Sequence, residues 1–258
     1  MRRLFPSPLA PSDLEDREWG LDELADAYAY PKTADGAGRP WLRANMVSSL
    51  DGAAHHEGRS QPLSSEADMR IFGTLRGLAD AIVVGAETVR QEGYRPARAR
   101  EAFAARRAAL GQPVAPVIAV VSAGLDLDFS LPLFTSPLVP TIVLTGEDAP
   151  AERVAAAREA GAEVVTAGQG RRVDPARVPA VLAGRGLTRL LTEGGPRLLG
   201  QFAEARVLDE MCLSLAPLVA SGTAPRIMNG PPLAVPERFA LASVIEEGGF
   251  LFNSYRRV

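Results

Sequence analysis

Short apolar runs alternate along most of this chain with longer segments whose apolar residues recur every three or four positions. The runs at 42–48, 81–84, 117–121, 141–144, 163–166, 189–192 and 210–217 have the length and texture of strands, most of them buried on both faces. Between them the spacing turns helical. Ile71, Phe72, Leu75 and Leu78 draw one stripe behind Ser65-Glu66-Ala67-Asp68, which is close to a capping box. Asp174-Pro175 offers a cap and a first-turn proline to another helix, residues 151–160 have helix-forming composition, and Gly161, Gly184 and Gly186 fit helix stops. Such alternation predicts an α/β protein with a mostly parallel sheet covered by helices on both faces. The end breaks the rhythm: residues 239–246 and 250–256, divided by Glu247-Gly248-Gly249, predict an antiparallel hairpin.

Residues 1–38 differ in texture. They are rich in Pro, Asp and Ala and close on Lys32-Thr33-Ala34-Asp35-Gly36-Ala37-Gly38, so we read an N-terminal extension and linker ahead of one domain over 39–258. A chain of 258 residues, 47% hydrophobic and 23% charged, is long enough for one large α/β domain. No apolar stretch approaches the roughly 18 to 20 uncharged residues of a membrane helix, and Met1-Arg2-Arg3-Leu4-Phe5-Pro6 leads into prolines and acids instead of an apolar signal core, so a cytoplasmic location is expected. The net charge of −3 has no block of like charges behind it. Neither nucleic acid nor a membrane is expected as partner; a small molecule is. The single Cys212 excludes an internal disulfide, and with only His55 and His56 beside it no ordinary Cys/His zinc site can form, so no metal is expected. Within Met211-Cys212-Leu213-Ser214-Leu215, Cys212 reads as a small buried hydrophobe.

Three segments offer chemistry. Ser48-Ser49-Leu50-Asp51-Gly52 runs from a strand into a tight turn, where hydroxyls and amides can meet a ligand or simply close the turn. Residues 78–89 form an apolar strand ending in Gly85-Ala86-Glu87-Thr88, where Gly85 permits close approach and Thr88 offers a hydroxyl. Residues 190–200 form a buried strand, then Glu193-Gly194-Gly195-Pro196 opening a helix. The free amides of such a helix start suit a pyrophosphate, although the same sequence serves as a plain strand-to-helix corner, and it is not the Rossmann glycine fingerprint.

Taken in order, with Arg76-Gly77-Leu78-Ala79-Asp80 before the second segment and Val207-Leu208-Asp209-Glu210 and Ala216-Pro217 after the third, the chain from Trp41 onward resembles the reductase domain of riboflavin biosynthesis, the pyrimidine reductase acting on 5-amino-6-(phosphoribosylamino)uracil. The resemblance implies a dihydrofolate-reductase-like three-layer α/β/α fold, NADPH as hydride donor and a homodimer, for which the apolar run 211–219 would be a strand near the pairing edge. By position, Ser48, Pro62, Thr88, Glu92 and Ser122 would lie along the cofactor, with Gly194, Gly195, Pro196, Arg197 and Leu198 around its phosphates. Asn45, Ser60, Arg76, Pro96 and Glu193 would face the substrate, and Glu193 and Glu92 would be the catalytic candidates, one anchoring the substrate and the other steering a proton through water. Arg76 has a competing role as a polar residue of its helix. Arg95, Arg98 and Arg100 would bind a substrate phosphate or form an arginine-rich surface loop.

Two departures bear on the substrate. Asn45 stands where these reductases carry a lysine, and Gln91-Glu92-Gly93 replaces their Asp-Asn-Pro or Asp-Asp-Pro turn. An asparagine brings no cation to an anionic ligand but can hydrogen-bond a neutral heterocycle. The zinc ligands of the companion deaminase have no counterpart in a sequence with one cysteine. A pterin or dihydrofolate reductase on the same scaffold, and a nucleotide-binding protein without turnover, are the alternatives.

Overall fold

The computed structural model describes residues 1–6, 15–32 and 39–258. Ten strands, β1 (Arg2–Phe5), β2 (Trp41–Ser48), β3 (Ala81–Gly85), β4 (Val117–Val121), β5 (Ile142–Thr145), β6 (Glu163–Thr166), β7 (Arg189–Thr192), β8 (Glu210–Leu215), β9 (Phe239–Glu247) and β10 (Phe250–Arg257), form one sheet in the order β1-β9-β10-β8-β2-β7-β3-β4-β5-β6. From β8 to β6 every neighbouring pair is parallel, whereas β1, β9, β10 and β8 pair antiparallel. The predicted parallel core and terminal hairpin are both present.

The parallel strands read as continuous apolar runs because both faces are covered. Along β3, Ile82 and Val84 enter one core while Ala81 and Val83 enter the other, and the same alternation holds in β4 and β5. The first core packs against α1 (Leu21–Ala27), α2 (Glu66–Leu78), α3 (Ala86–Gln91), α4 (Glu101–Ala109), α5 (Pro132–Thr135) and α6 (Ala151–Glu159); the second packs against α7 (Val178–Ala183) and α8 (Pro196–Glu204). The result is three layers.

Several local expectations shift. Ser65 caps α2 by accepting from the Asp68 amide at 3.1 Å. Asp174 instead turns onto the Ala176 amide at 2.9 Å, and the helix starts only at Val178, so Asp174-Pro175 closes a turn ahead of it. The first 38 residues also supply β1, which adds to the sheet through β9, and α1, whose Leu24 and Ala25 are buried with Trp19 and Tyr28 in the first core. Of the expected linker, residues 33–38 lie outside the described residues. The run from Met211 is not at an edge: β8 sits between β2 and β10, with Glu210, Cys212 and Ser214 buried and Met211, Leu213 and Leu215 half-buried on the other face.

Near the start of β2 and β8, Arg43 and Glu210 stand in register and form a sealed ion pair, Nε to Oε2 at 2.9 Å and Nη2 to Oε2 at 2.8 Å. The remaining groups are matched as well. Arg43 Nη1 donates to the Tyr28 carbonyl at 2.7 Å, Trp41 Nε1 donates to Oε2 at 2.9 Å and Ser254 Oγ donates to Oε1 at 2.7 Å.

Candidate active site

Chain path places the site. From β2 the chain crosses by α2 on one face to β3, and from β7 it crosses by α8 on the other face back to β8, so the connections that follow these two neighbouring strands lie on opposite faces of the sheet. The carboxyl ends of strands at such a switch point enclose a crevice. A cleft of about 840 Å3 lies there.

The helix α2 forms its wall. With 3.6 residues per turn, Asp68, Phe72 and Arg76 at i, i+4 and i+8 face the cleft, while Ile71, Leu75 and Leu78 enter the core. Arg76 grips the carboxylate of Glu193 at the end of β7, Nε to Oε1 at 2.6 Å and Nη2 to Oε2 at 2.6 Å. Tyr94 completes the network: its hydroxyl donates to Glu193 Oε2 and accepts from Arg76 Nη2 at 2.8 Å. The guanidinium carbon lies 4.4 Å from the centre of the Phe72 ring. Burial opposes the Arg76 charge, but the Glu193 carboxylate outweighs it and holds the guanidinium pKa above its ordinary value; burial, reinforced by the same carboxylate, pushes the Tyr94 phenol well up. Arg76 Nη1 donates to no protein acceptor among the described residues.

The ends of β3 and β7 are stapled together. Gly85 donates to the Gly194 carbonyl at 3.0 Å and Gly195 donates to Thr88 Oγ1 at 2.8 Å. A Cβ on Gly195 would lie 2.8 Å from that hydroxyl, so only glycine allows the approach. Immediately beyond, α8 opens on Pro196, and the first-turn amides of Arg197 and Leu198 have no intrahelical acceptor. The 48–52 segment closes its own turn instead: Ser49 Oγ donates to Asp51 Oδ1 at 2.5 Å, and the Asp51 carboxylate accepts the Ala220 and Ser221 amides at 3.1 and 2.6 Å. The Ser49 hydroxyl and then those amides bring the Asp51 carboxyl down to about 2.

Asn45, Ser60, Arg76, Thr88, Glu92, Glu193, Gly195 and Pro196, all singled out in the sequence, line this cleft. Ser48, Pro62, Ser122, Gly194, Arg197 and Leu198 do not, although Ser122 follows β4 at the same carboxyl edge of the sheet. Pro96 lines an adjoining cavity of about 270 Å3, which shares Phe72, Arg76 and Arg95 with the cleft and adds Arg98 and Arg100. Sequence reasoning passed over Tyr94, took Asp68 only as a helix-start residue and took Phe72 only as part of an apolar stripe. The spacing 68, 72, 76 was a usable signal, masked by the core stripe on the same helix. Two buried side-chain atoms of the lining, Asn45 Oδ1 and His55 Nδ1, have no protein partner among the described residues.

The sheet topology, the helices on both faces and the cleft at the carboxyl ends of the central strands define a three-layer α/β protein. The chain belongs to the RibD C-terminal domain family, whose model matches residues 40–248. It is 33% identical to the 2,5-diamino-6-ribosylamino-4(3H)-pyrimidinone 5′-phosphate reductase of Methanothermobacter thermautotrophicus, over 71% of this chain and 81% of that protein. The reductase of the same name from Aquifex aeolicus is 31% identical over 74% of this chain and 84% of its own length. Among solved structures, a pyrimidine reductase-like protein from Corynebacterium diphtheriae superposes with a TM-score of 0.77 at 27% identity, covering 91% of this chain and 98% of the other.

Proposed function

We propose that this enzyme uses NADPH to reduce a C=N or C=O carbon of a ribosylated aminopyrimidine 5′-phosphate, in the cytoplasm and as a homodimer. The observation that carries this reading is the junction at Arg76: a cleft with a polar wall and a glycine cradle runs directly into a cavity ringed by cations. Arg95, Arg98 and Arg100 have no carboxylate within ion-pair distance among the described residues, and burial together with the charges of Arg76 and Arg98 pulls the Arg100 pKa down. Cations gathered against their own repulsion favour an anion between them, as a substrate phosphate would supply. The Arg100 guanidinium packs against Gly73, where a Cβ would lie 2.7 Å from its Nη1.

The residues present fit a dinucleotide. The Gly195 approach leaves no side chain over the strand end, the Arg197 and Leu198 amides would meet the pyrophosphate, Thr88 would lie along the cofactor, and Ser122 would stand toward the 2′-phosphate. When bound, NADPH supplies the hydride. Glu193 holds Arg76 in place toward the substrate, Phe72 offers a ring face, and Glu92, exposed at the end of α3, steers a proton through water. The dimer reading rests on the family resemblance and on the antiparallel half of the sheet, where Phe5, Val244, Asn253 and Leu213 stand in register across four strands opposite the face that carries Ile245, Phe252 and Cys212. Sedimentation should show a dimer that Leu213→Glu separates. The functional test is loss of reduced-nicotinamide absorbance with the phosphorylated aminopyrimidine. Turnover with NADPH exceeding that with NADH supports the proposal; no oxidation with either nucleotide would overturn it.

A further inference from the structure

We infer that Asp68 reads the 2-amino edge of the heterocycle, so that the enzyme takes the 2-aminopyrimidinone form of its substrate and rejects the uracil form. The inference rests on the pyrimidine-reductase reading of the site. Asp68 is 7% exposed, lies in the first turn of α2 and forms part of the cleft wall. Its side-chain partners are two hydroxyls, Ser64 Oγ to Oδ2 and Ser214 Oγ to Oδ1, each at 2.5 Å, and among the described residues no Arg, Lys or His comes within ion-pair distance. A carboxylate has about four lone-pair sites, so each oxygen keeps one for a further donor. Burying such a group without a cation is unfavourable unless its acceptors are filled.

The same cleft holds a second unfilled acceptor, the Asn45 side-chain oxygen on β2. Unmatched acceptors call for a donor-rich ligand edge. A 2-amino-4(3H)-pyrimidinone presents one: its N3–H and 2-amino N–H point the same way and match the two oxygens of one carboxylate. In the uracil form a C2 carbonyl replaces the amino group, and an acceptor would face an acceptor with no proton between them. The helix sets the scale. Eight residues at about 1.5 Å rise separate Asp68 from Arg76 by about 12 Å, with Phe72 midway, comparable to the reach of a ribonucleotide from ring edge to phosphate. Acid, aromatic ring and cation thus lie in the order of base edge, base face and phosphate.

The test compares 2,5-diamino-6-ribosylamino-4(3H)-pyrimidinone 5′-phosphate with 5-amino-6-(5-phosphoribosylamino)uracil on the full chain, by turnover with NADPH and by calorimetric binding in the presence of NADP+. The diamino compound should be favoured by about 100-fold or more in kcat/KM, with the difference in binding. Asp68→Asn retains an acceptor for N3–H and places a donor opposite the C2 carbonyl, so it should lose about 100-fold on the diamino compound and gain on the uracil. Asp68→Ala should weaken the diamino compound without a gain on the other. Equal binding of the two forms by the wild type, or parallel changes in Asp68→Asn, would overturn the inference while leaving the proposed function standing. If neither compound is reduced, the proposed function fails, and the binding comparison, which needs no turnover, still decides the role of Asp68. Should Asp68→Asn fail to fold, Asp68→Ala decides: an unchanged preference for the diamino compound in that variant would overturn the inference.

Discussion

The two carboxylate–arginine pairs of this sheet have the same chemistry and opposite surroundings. Arg43 and Glu210, 0% and 2% exposed in their side chains, are closed in near the amino ends of β2 and β8, and every polar atom of the pair is matched by the protein. Arg76 and Glu193, 22% and 7% exposed, close the carboxyl end, and there one guanidinium nitrogen is left for something outside the protein. A sealed pair contributes little net stability relative to an apolar packing but is costly to break, because the surviving charge stays buried. An open pair gives up part of that protection and gains a positioned cation. Scaffold and site therefore differ in which bonds are left unmade.

The most disruptive way to test this contrast is at the sealed pair. Arg43→Ala strands Glu210 and should cost about 3 to 5 kcal/mol in urea unfolding, while KM in the folded fraction stays unchanged. Acid should act in the same place. Burial works to raise the Glu210 carboxyl, but the Arg43 charge and the hydrogen bonds of Ser254, Arg43 and Trp41 hold it below its ordinary value. With the folded pKa depressed, its contribution is present above the ordinary carboxylate range and is lost as pH falls through the folded-state value. The gap in unfolding midpoint between wild type and Glu210→Gln should therefore narrow below about pH 4. A constant gap from neutral to acid would mean that Glu210 is not the group that senses pH.

At the open pair the readout should change from stability to binding. Arg76→Gln should raise KM by on the order of 100-fold with a change of only about 1 kcal/mol in unfolding, and substrate lacking its phosphate should lose less affinity in the variant than in the wild type. Equal destabilisation by Arg43→Ala and Arg76→Gln would erase the distinction between the pairs.

The parallel strands inside the sheet were legible in sequence because burial on both faces leaves apolar runs that stand out, and Val117–Val121 and Arg189–Thr192 fall where the runs do. β1 was not legible: Arg2, Arg3, Leu4 and Phe5 lie on an exposed edge, where pairing with β9 and not composition makes the strand. Glycines and the motif threonine marked the strand ends of the site. Tyr94 follows α3 in a loop with no periodicity to mark it, and Asp68 was hidden by its plausible role as a helix-start residue.

A cation can also be added where the cleft wall has none. Asn45→Lys should raise activity on 5-amino-6-(5-phosphoribosylamino)uracil by about tenfold and lower any activity on a neutral pterin, because the new charge pairs with an anionic ligand and lacks a partner beside an uncharged ring. Parallel changes in the two rates would show that this position does not select the substrate.

The finest test removes one hydroxyl from each pair. Ser254 donates to Glu210 at the sealed pair, and Tyr94 donates to Glu193 while accepting from Arg76 at the open one. Ser254→Ala leaves a buried carboxylate oxygen short of a donor with no water to replace it, so it should cost about 1 to 3 kcal/mol of stability and leave KM alone. Tyr94→Phe keeps the two direct Arg76–Glu193 hydrogen bonds, and water in the cleft can take the place of the lost hydroxyl. Its effect on stability should stay below about 1 kcal/mol, whereas KM should rise several-fold, since Arg76 Nη2 loses the contact that fixes its angle toward the cleft. Paired measurements of urea midpoint and KM on both variants decide the matter. If Tyr94→Phe lowers stability as much as Ser254→Ala and leaves KM untouched, the open pair is part of the scaffold, and Arg76 needs another explanation for the guanidinium nitrogen it leaves facing the cleft.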